Sequence, residues 1–533
     1  MTEKHHLPGL LAAALVGSMV QLDYSMRSSL IGSVCAGSVD SRSVQEYLDS
    51  KISELNFGTR RTLRFANNQK LIDCSLTMAE GWLAKGIQVH LTPTHPKLEY
   101  CANLFKIVFT FGPLDILDNP SAMLLNSRPE RKVRPDSPWL KKTIKLAKDA
   151  IARKWTLVSG YGPVPYLVVS WLAKGSGLIV VCDGPLPFMG PADVQEKFQT
   201  EFSEIFDMEN TLFLSGFSPG VLPKPKLRWM IRDEMAGAIA EIILPCSVRP
   251  KGNMARILES AQFRGKAVVD EDSNSSDSCR CSKDSLDPGL QRDYQRVSVI
   301  APVIHSNKSS GNSAKFKAQW SGDPFVSEVQ LRNLMDGMLI HYTRACAGPW
   351  PGQSWATYLS DLICNSPGAA HDAVDTLIRI VIERKIRATG TWTRGSAPVV
   401  SFTEAELGHF GLIQKWRRGL MRHTFEPYGI AFSKKALLDK GVKRVIYGSD
   451  ADITMAPRDA KAFFQLSSSG CNDWTTEKEW RMLGDLEFKH MNPSDWFVIT
   501  PDIQGAQKLA DSVRISSLRM YVSNFRRKNL RQP

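Results

Sequence analysis

Residues 155–184 read WTLVSGYGPVPYLVVSWLAKGSGLIVVCDG, and this stretch decides the fold. Residues 155–159 form a short apolar run of strand length. Gly160-Tyr161-Gly162-Pro163 interrupts it, and 164–173 continues as an apolar segment of helix length. Residues 178–182 return to a strand pattern that stops at Asp183-Gly184-Pro185. A strand, a glycine turn, a helix and a second strand make a right-handed crossover unit with parallel strands. The same alternation extends both ways. Upstream, 107–111 and 121–125 are strand-like, and 139–154 carries Leu140, Ile144, Leu146, Ala147 and Ile151 at helical spacing with lysines between them. Downstream, helices over 194–206, 228–240 and 254–263 alternate with strands over 212–214, 242–244 and 267–269. The expectation is an α/β, Rossmann-like parallel sheet covered by helices on both faces.

The flanks differ in texture. Leu10, Leu11, Ala14, Leu15 and Met19, then Val44, Tyr47, Leu48, Ile52 and Leu55 after a capping Ser43, suggest a small helical domain over 1–93. Residues 7–20 are apolar but too short to span a bilayer and read as a buried helix rather than a signal peptide. The sheet domain occupies 94–270. A Ser/Asn-rich linker follows over 271–322, broken only by the strand-like 297–304. Residues 323–533 mix helices (328–338, 370–384) with strands (398–402, 430–432, 442–447, 496–500) and suggest an α+β domain. Its tail carries Arg519, Arg526, Arg527, Lys528 and Arg531, either solvated or contacting phosphate.

The 533 residues hold 67 Lys and Arg against 54 Asp and Glu, a formal charge of +13, which favours a polyanionic partner. The ten cysteines include no CxxC pair, which argues against a zinc site and suits a reducing cytoplasm. No HExxH, Walker A or Gly-x-Ser-x-Gly motif occurs, so metalloprotease, P-loop NTPase and α/β-hydrolase chemistry have no support.

In an open parallel sheet, ligands bind at the carboxyl ends of strands. Four turns fall there: Asn126-Ser127-Arg128, Ser159-Gly160-Tyr161-Gly162, Asp183-Gly184-Pro185 and Lys251-Gly252-Asn253. Hydroxyls, backbone N–H groups and guanidinium at such turns suit a phosphate; a short glycine loop alone is more often a plain turn, and it is four in register on one sheet edge that point to a ligand. Arg128, Arg131, Lys132, Arg134, Lys141, Lys142, Lys224, Lys226, Arg228, Arg249, Lys251 and Arg256 crowd these turns. They form a ligand surface or a solvated basic rim. Tyr161 and Trp229 can stack on bases unless Trp229 belongs to the core.

The run 91–270 resembles the DNA-processing protein A (DprA/Smf) family. The carriers are GIQVHLTPTHPKLEY, SAMLLNSRP, KWTLVSGYG, GLIVVCDGPLPF and the long segment from LFLSGFSPG to GKAVV. The resemblance implies binding of single-stranded DNA that is handed to a recombinase, or a diverged nucleotide ligand, and it implies a homodimer that no residue here marks. Carried over, the phosphate-holding residues are Ser127, Arg128, Ser159, Gly160, Arg232, Gly252 and Asn253. The sequence departs from the family at Asn126 and Tyr161 (each for Gly), at Val164-Pro165-Tyr166 (for Gly-Ile-Asp), at Asp233 (for Asn) and at Pro245-Cys246 (for an acidic pair).

In the last domain LIHYTRA (339–345), FEPYGIAFSKKAL (425–437) and TEKEWRMLGDLEF (476–488) resemble abortive-infection proteins of the AbiG type and, more loosely, ADP-ribosyltransferases. That resemblance implies phage defence with protein partners, NAD as cofactor, and a catalytic set of His341, Tyr428 and Glu479. His341 and Thr343 would hold ribose, Tyr428 would stack on nicotinamide, and Glu479, oriented by Arg481, would stabilise charge at the anomeric carbon. Glu479-Trp480-Arg481 reads equally as a buried ion pair, and His341 as a core histidine.

Overall fold

The structure, a computed structural model, describes residues 9–11 and 13–14 and, apart from a few internal positions, the stretches 69–127, 133–268 and 328–522. Arg128, Arg131, Lys132, the expected helix at 43–55, the linker strand at 297–304 and the basic residues 526–531 lie outside the described residues. The chain divides into two compact units: residues 1–301 with 354–366, and residues 302–353 with 367–533.

The first unit is built on eight strands: β1 Gln88–Leu91, β2 Ile107–Phe111, β3 Ser121–Asn126, β4 Thr156–Gly160, β5 Leu178–Val181, β6 Thr211–Ser215, β7 Ile242–Ser247 and β8 Ala267–Val268. Their order across the sheet is β1-β2-β6-β5-β4-β3-β7-β8. From β6 to β8 all neighbours are parallel, as expected for an α/β sheet. β2 pairs antiparallel with both β1 and β6 and closes one side; strict alternation of strand and helix does not foresee that edge.

Alternate residues of each central strand feed two separate cores, as a period of two requires. On one face Ala122 and Leu124 join Leu140, Leu146, Leu167 and Val168 from helices α2 (Pro138–Ala152) and α3 (Val164–Leu172), with Ala79 and Trp82 from α1 (Gln69–Ala84) and Phe198 from α4 (Ala192–Glu201). On the other face Met123 and Leu125 join Met235 and Ile239 of α5 (Pro225–Ile239) and Ile257 and Ala261 of α6 (Asn253–Phe263). Each buried Leu, Ile, Val, Met or Phe side chain contributes roughly 1.5–3 kcal/mol, so both layers are fixed by many independent contacts.

α2 illustrates the local logic. Pro138 occupies the first turn, where no N–H partner is needed. Trp139, Leu140, Thr143, Leu146, Ala147 and Ala150 form the buried stripe, and Lys154 ends the element with a left-handed backbone, φ 59°. A helix that the sequence reading did not single out, α8 (Trp355–Cys364, following α7 at Glu328–Met335), also belongs to this unit. Tyr358, Leu359 and Leu362 enter the first core, and Trp355 stacks on Phe202 at 5.8 Å. The stretch 354–366 lies well past the sequence boundary at 323, yet it is part of the first unit.

The second unit has a seven-stranded mixed sheet: β9 Met338–Tyr342, β10 Val399–Thr403, β11 Gly429–Ser433, β12 Lys443–Arg444, β13 Glu479–Leu483, β14 Trp496–Thr500 and β15 Met520–Val522. The order is β12-β13-β10-β9-β11-β14-β15, antiparallel throughout except for β14 with β15. One face carries Phe402, Ile430 and Trp480 against Leu377 and Val381 of helix α9 (Ala373–Glu383) and Leu509 of α10 (Ile503–Ser512). The other face carries Ile340, Ala431, Phe497 and Ile499.

Candidate functional site

Because β3 to β8 run parallel, the turns after β3, β4, β5, β6 and β7 leave the same edge of the sheet. The chain moves outward from β3 through β4 and β5 to β6, then returns to place β7 on the other side of β3. That reversal puts the topological switch point between the β3 and β7 turns, the place where open α/β sheets take their ligands. Here the two turns are tied together. Ser127 N–H donates to the Ser247 carbonyl at 2.5 Å, and Arg249 N–H donates to the Ser127 hydroxyl at 2.8 Å. Gly252 N–H donates to the Arg249 carbonyl at 3.1 Å, which folds the β7–α6 loop onto itself.

From Gly252 the contacts continue along the edge. Asn253 Nδ2 donates to Asp233 Oδ2 at 2.6 Å, and Asn253 Oδ1 accepts from Arg256 Nη2 at 2.6 Å. Asp233 Oδ1 accepts from Arg232 Nε at 2.8 Å and from the Tyr166 hydroxyl at 2.6 Å, and Arg232 Nη2 lies 2.7 Å from the same oxygen. Arg232 Nη1 donates to the Tyr161 carbonyl at 3.1 Å, and its guanidinium lies 4.7 Å from the Tyr166 ring centroid. Burial, reinforced by the facing Asp233 carboxylate, raises the Tyr166 phenol well above its ordinary range, so it remains a donor. Ser127, Gly160, Arg232, Gly252 and Asn253 thus belong to one contiguous rim.

Within that rim several residues have tasks other than those expected. The Ser159 hydroxyl is fully buried and donates to the Tyr166 carbonyl at 2.9 Å, locking β4 to the start of α3 rather than facing a ligand. Gly160 is needed because a Cβ there would stand 2.8 Å from the Tyr166 ring and 3.0 Å from Arg232 Nε. The ring of Tyr161 is partly buried and packs at 5.4 Å from Phe202 and 6.1 Å from Phe198, against the aromatic core. Trp229 is the reverse. It is half exposed on α5, not a core residue, and it neighbours exposed Leu227, Lys226 and Lys224. Arg249, Lys251 and Arg256 are exposed on the β7–α6 loop and first turn. Lys251 adopts a left-handed backbone, φ 59°, a conformation that costs a non-glycine residue roughly 1–2 kcal/mol.

Two roles were missed from the sequence, those of Tyr166 and Asp233 as partners of Arg232. A signal existed: both stand where the family resemblance breaks, on elements that a parallel sheet places side by side, and their oxygens meet.

The second unit does not assemble the expected catalytic set. Directly opposite residues in a sheet share a face and successive residues alternate. Glu479 is opposite Thr403, which is opposite Ile340. His341, one residue on, is opposite Ile430 and packs edge-on to Phe402 at 6.0 Å, on the face that also carries Trp480. Glu479 and His341 therefore project from opposite faces. Glu479 is held by Arg481 through two hydrogen bonds of 2.9 and 2.8 Å, and Arg481 also donates to the carbonyls of Ala462 and Phe464. This is the buried ion pair of the alternative reading. His341 Nδ1 lies 2.9 Å from the Ser401 carbonyl, and burial lowers the imidazole pKa. Tyr428 packs against the His341 side of the sheet, its ring filling the space over Gly505. The Thr343 hydroxyl is buried and donates to the Ala373 carbonyl.

Among the described residues no helix is long and apolar enough to cross a membrane, and no group of His, Cys, Asp and Glu is arranged to hold a metal ion. No protein-family model matches the sequence, and no curated protein matches it. Among solved structures, the chain is similar to DNA processing protein A from Helicobacter pylori, a protein described for its single-stranded DNA binding mode, with 22% identity, 32% of this chain and 75% of that chain covered and a TM-score of 0.26. It is also similar to DNA processing protein A (DprA) from Streptococcus pneumoniae, with 15% identity, 56% of this chain and 95% of that chain covered and a TM-score of 0.30. The α/β assignment rests on strand order and register.

Proposed function

We propose that the carboxyl edge of the first sheet binds single-stranded DNA, with backbone phosphates on Lys224, Lys226, Arg249, Lys251 and the turns at Ser127 and Gly252, and a base on Trp229. The observation that carries this reading is the exposed Trp229 among exposed lysines on the first turns of α5. An indole half open to water needs a partner with a free π-face. Bases offer one only when unstacked, which selects single strands over duplex. The formal charge of +13 supplies the long-range attraction. The left-handed Lys251 supports the reading, since strained backbone clusters at ligand-binding loops.

A mononucleotide is the second reading. Its support is Asn126 Oδ1, a buried acceptor at the end of β3 with no hydrogen-bond partner among the described residues, suited to a sugar hydroxyl or an amino group.

The test is fluorescence anisotropy with a labelled oligonucleotide at several salt concentrations. Wild type is expected to bind, with affinity falling linearly on a log–log salt plot. Removing Lys226 or Lys251 is expected to reduce the slope by about 0.7 each. Absence of binding at low salt, or salt slopes indifferent to both lysines, contradicts the proposal. Displacement by free nucleoside phosphates at comparable concentration would favour the second reading.

A further inference from the structure

The innermost part of the rim already contains an anion, and it is covalently part of the chain. Asp233 is 4% exposed and accepts hydrogen bonds from three side chains on three helices: Arg232 beside it on α5, Tyr166 on α3 and Asn253 on α6. The distances, 2.6 to 2.8 Å, are those of charge-assisted bonds. Neighbouring helical residues normally diverge by about 100°, so Arg232 and Asp233 must curl toward each other to meet. The Tyr166 ring and Arg232 Nε lie directly over Gly160, where even one added carbon would collide with Tyr166 and crowd Arg232. The guanidinium that looks like the deepest phosphate ligand is thus neutralised in place. Among the described residues, the outer turns carry exposed cations at Lys224, Lys226, Arg249 and Lys251.

We propose that Asp233 is a resident anion that fills the seat made by Arg232, Tyr166 and Asn253, and so excludes external phosphate from it. A nucleic-acid backbone then rides on the outer turns only. Arg232 is a positioning residue that orders Tyr161, Tyr166 and Asp233, and the pair makes no net contribution to the charge that meets the ligand. This rests on the rim being the binding edge, and it specifies which of its cations touch phosphate.

Two variants of the full chain test it. Asp233→Asn keeps the shape and removes the anion, leaving the buried guanidinium in want of one. Inorganic phosphate, at ionic strength matched with chloride, is then expected to raise the melting temperature of Asp233→Asn on the order of a few degrees and leave wild type unmoved. If Asp233→Asn folds only when phosphate is present, that also supports the proposal. Indifference of the variant to phosphate overturns it, whether the variant is folded or not. The second variant, Arg232→Met with Asp233→Leu, deletes both charges, a replacement that buried pairs commonly tolerate. The salt slope of its oligonucleotide binding is expected to match wild type. A slope lower by about 0.7 would mean that Arg232 touches phosphate and would overturn the proposal. Should wild type bind no oligonucleotide at all, the DNA reading fails while the phosphate arm still decides the role of Asp233.

Discussion

Each of the two units holds a buried arginine beside a carboxylate close in sequence, Arg232 with Asp233 in the first and Arg481 with Glu479 in the second. The first pair sits on the edge where five turns converge. The second sits within a strand, with Arg481 clamped to the carbonyls of Ala462 and Phe464. The difference comes from topology. In a parallel sheet every strand ends at the same edge, so turns far apart in sequence meet whatever their side chains are. In a mixed sheet convergence depends on register and parity, and an offset of one residue sends a side chain to the other face. His341 and Glu479 fail to meet for that reason alone.

The comparison is broken most severely by removing one partner of the second pair. Arg481→Met leaves a nearly buried carboxylate uncompensated and is expected to destabilise the second unit by about 3–5 kcal/mol, read from chemical denaturation. Oligonucleotide binding at the first unit is expected to be unchanged, and a parallel loss of binding would show that the two pairs are not independent. Next in size, Gly160→Ala pushes a methyl group into Tyr166 and Arg232, with an expected cost of about 1–3 kcal/mol in the first unit's unfolding transition. No cost there would mean that the rim is looser than its hydrogen bonds imply. Trp229→Ala sharpens the contrast from the other side. It is expected to leave melting near wild type, because the ring is half exposed, yet to weaken oligonucleotide binding by about 1–3 kcal/mol, roughly 5- to 150-fold.

The smallest effect is a pH dependence. Burial holds the folded pKa of His341 below its unfolded value of 6.5. The unfolded chain therefore takes up a proton first as pH falls. The contribution of neutral His341 is fully present above pH 6.5 and is lost between that value and the lower folded pKa. His341→Leu is expected to flatten this part of the stability–pH curve, and an unchanged curve would assign the effect to another group.

These contrasts also explain what was legible in the sequence. The crossover at 155–184 was readable because strand runs, a glycine turn and an apolar helix follow one another with little ambiguity, and parallel topology then places the turns without further information. Gly160, Gly252 and Asn253 fall on the rim for that reason. What Ser159 and Tyr161 do was not readable, since a hydroxyl or ring at a strand end points either into the core or out to a ligand and only packing decides. Tyr161 turned inward to Phe198 and Phe202, whereas Trp229 stayed outside. The antiparallel pairing of β2 with β6 and the place of α8 were missed because their partners are remote in sequence. α8 joins a core whose other helices end about 150 residues earlier, at Glu201. In the second unit β13 carries charged Glu479 and Arg481 on its inner positions, which hides its strand character from a hydrophobic pattern.

The most direct test of the central claim, that nucleic acid docks on the carboxyl edge of the first sheet, is photocrosslinking. A halogenated single-stranded oligonucleotide would be irradiated with the full-length chain and the adducts mapped by mass spectrometry. Adducts are expected at Trp229 and in the β7–α6 loop through Arg249 and Lys251, suppressed by competing unlabelled single strand and weaker with duplex. Adducts confined to the second unit, or spread evenly over both with no enrichment at Trp229, would contradict it.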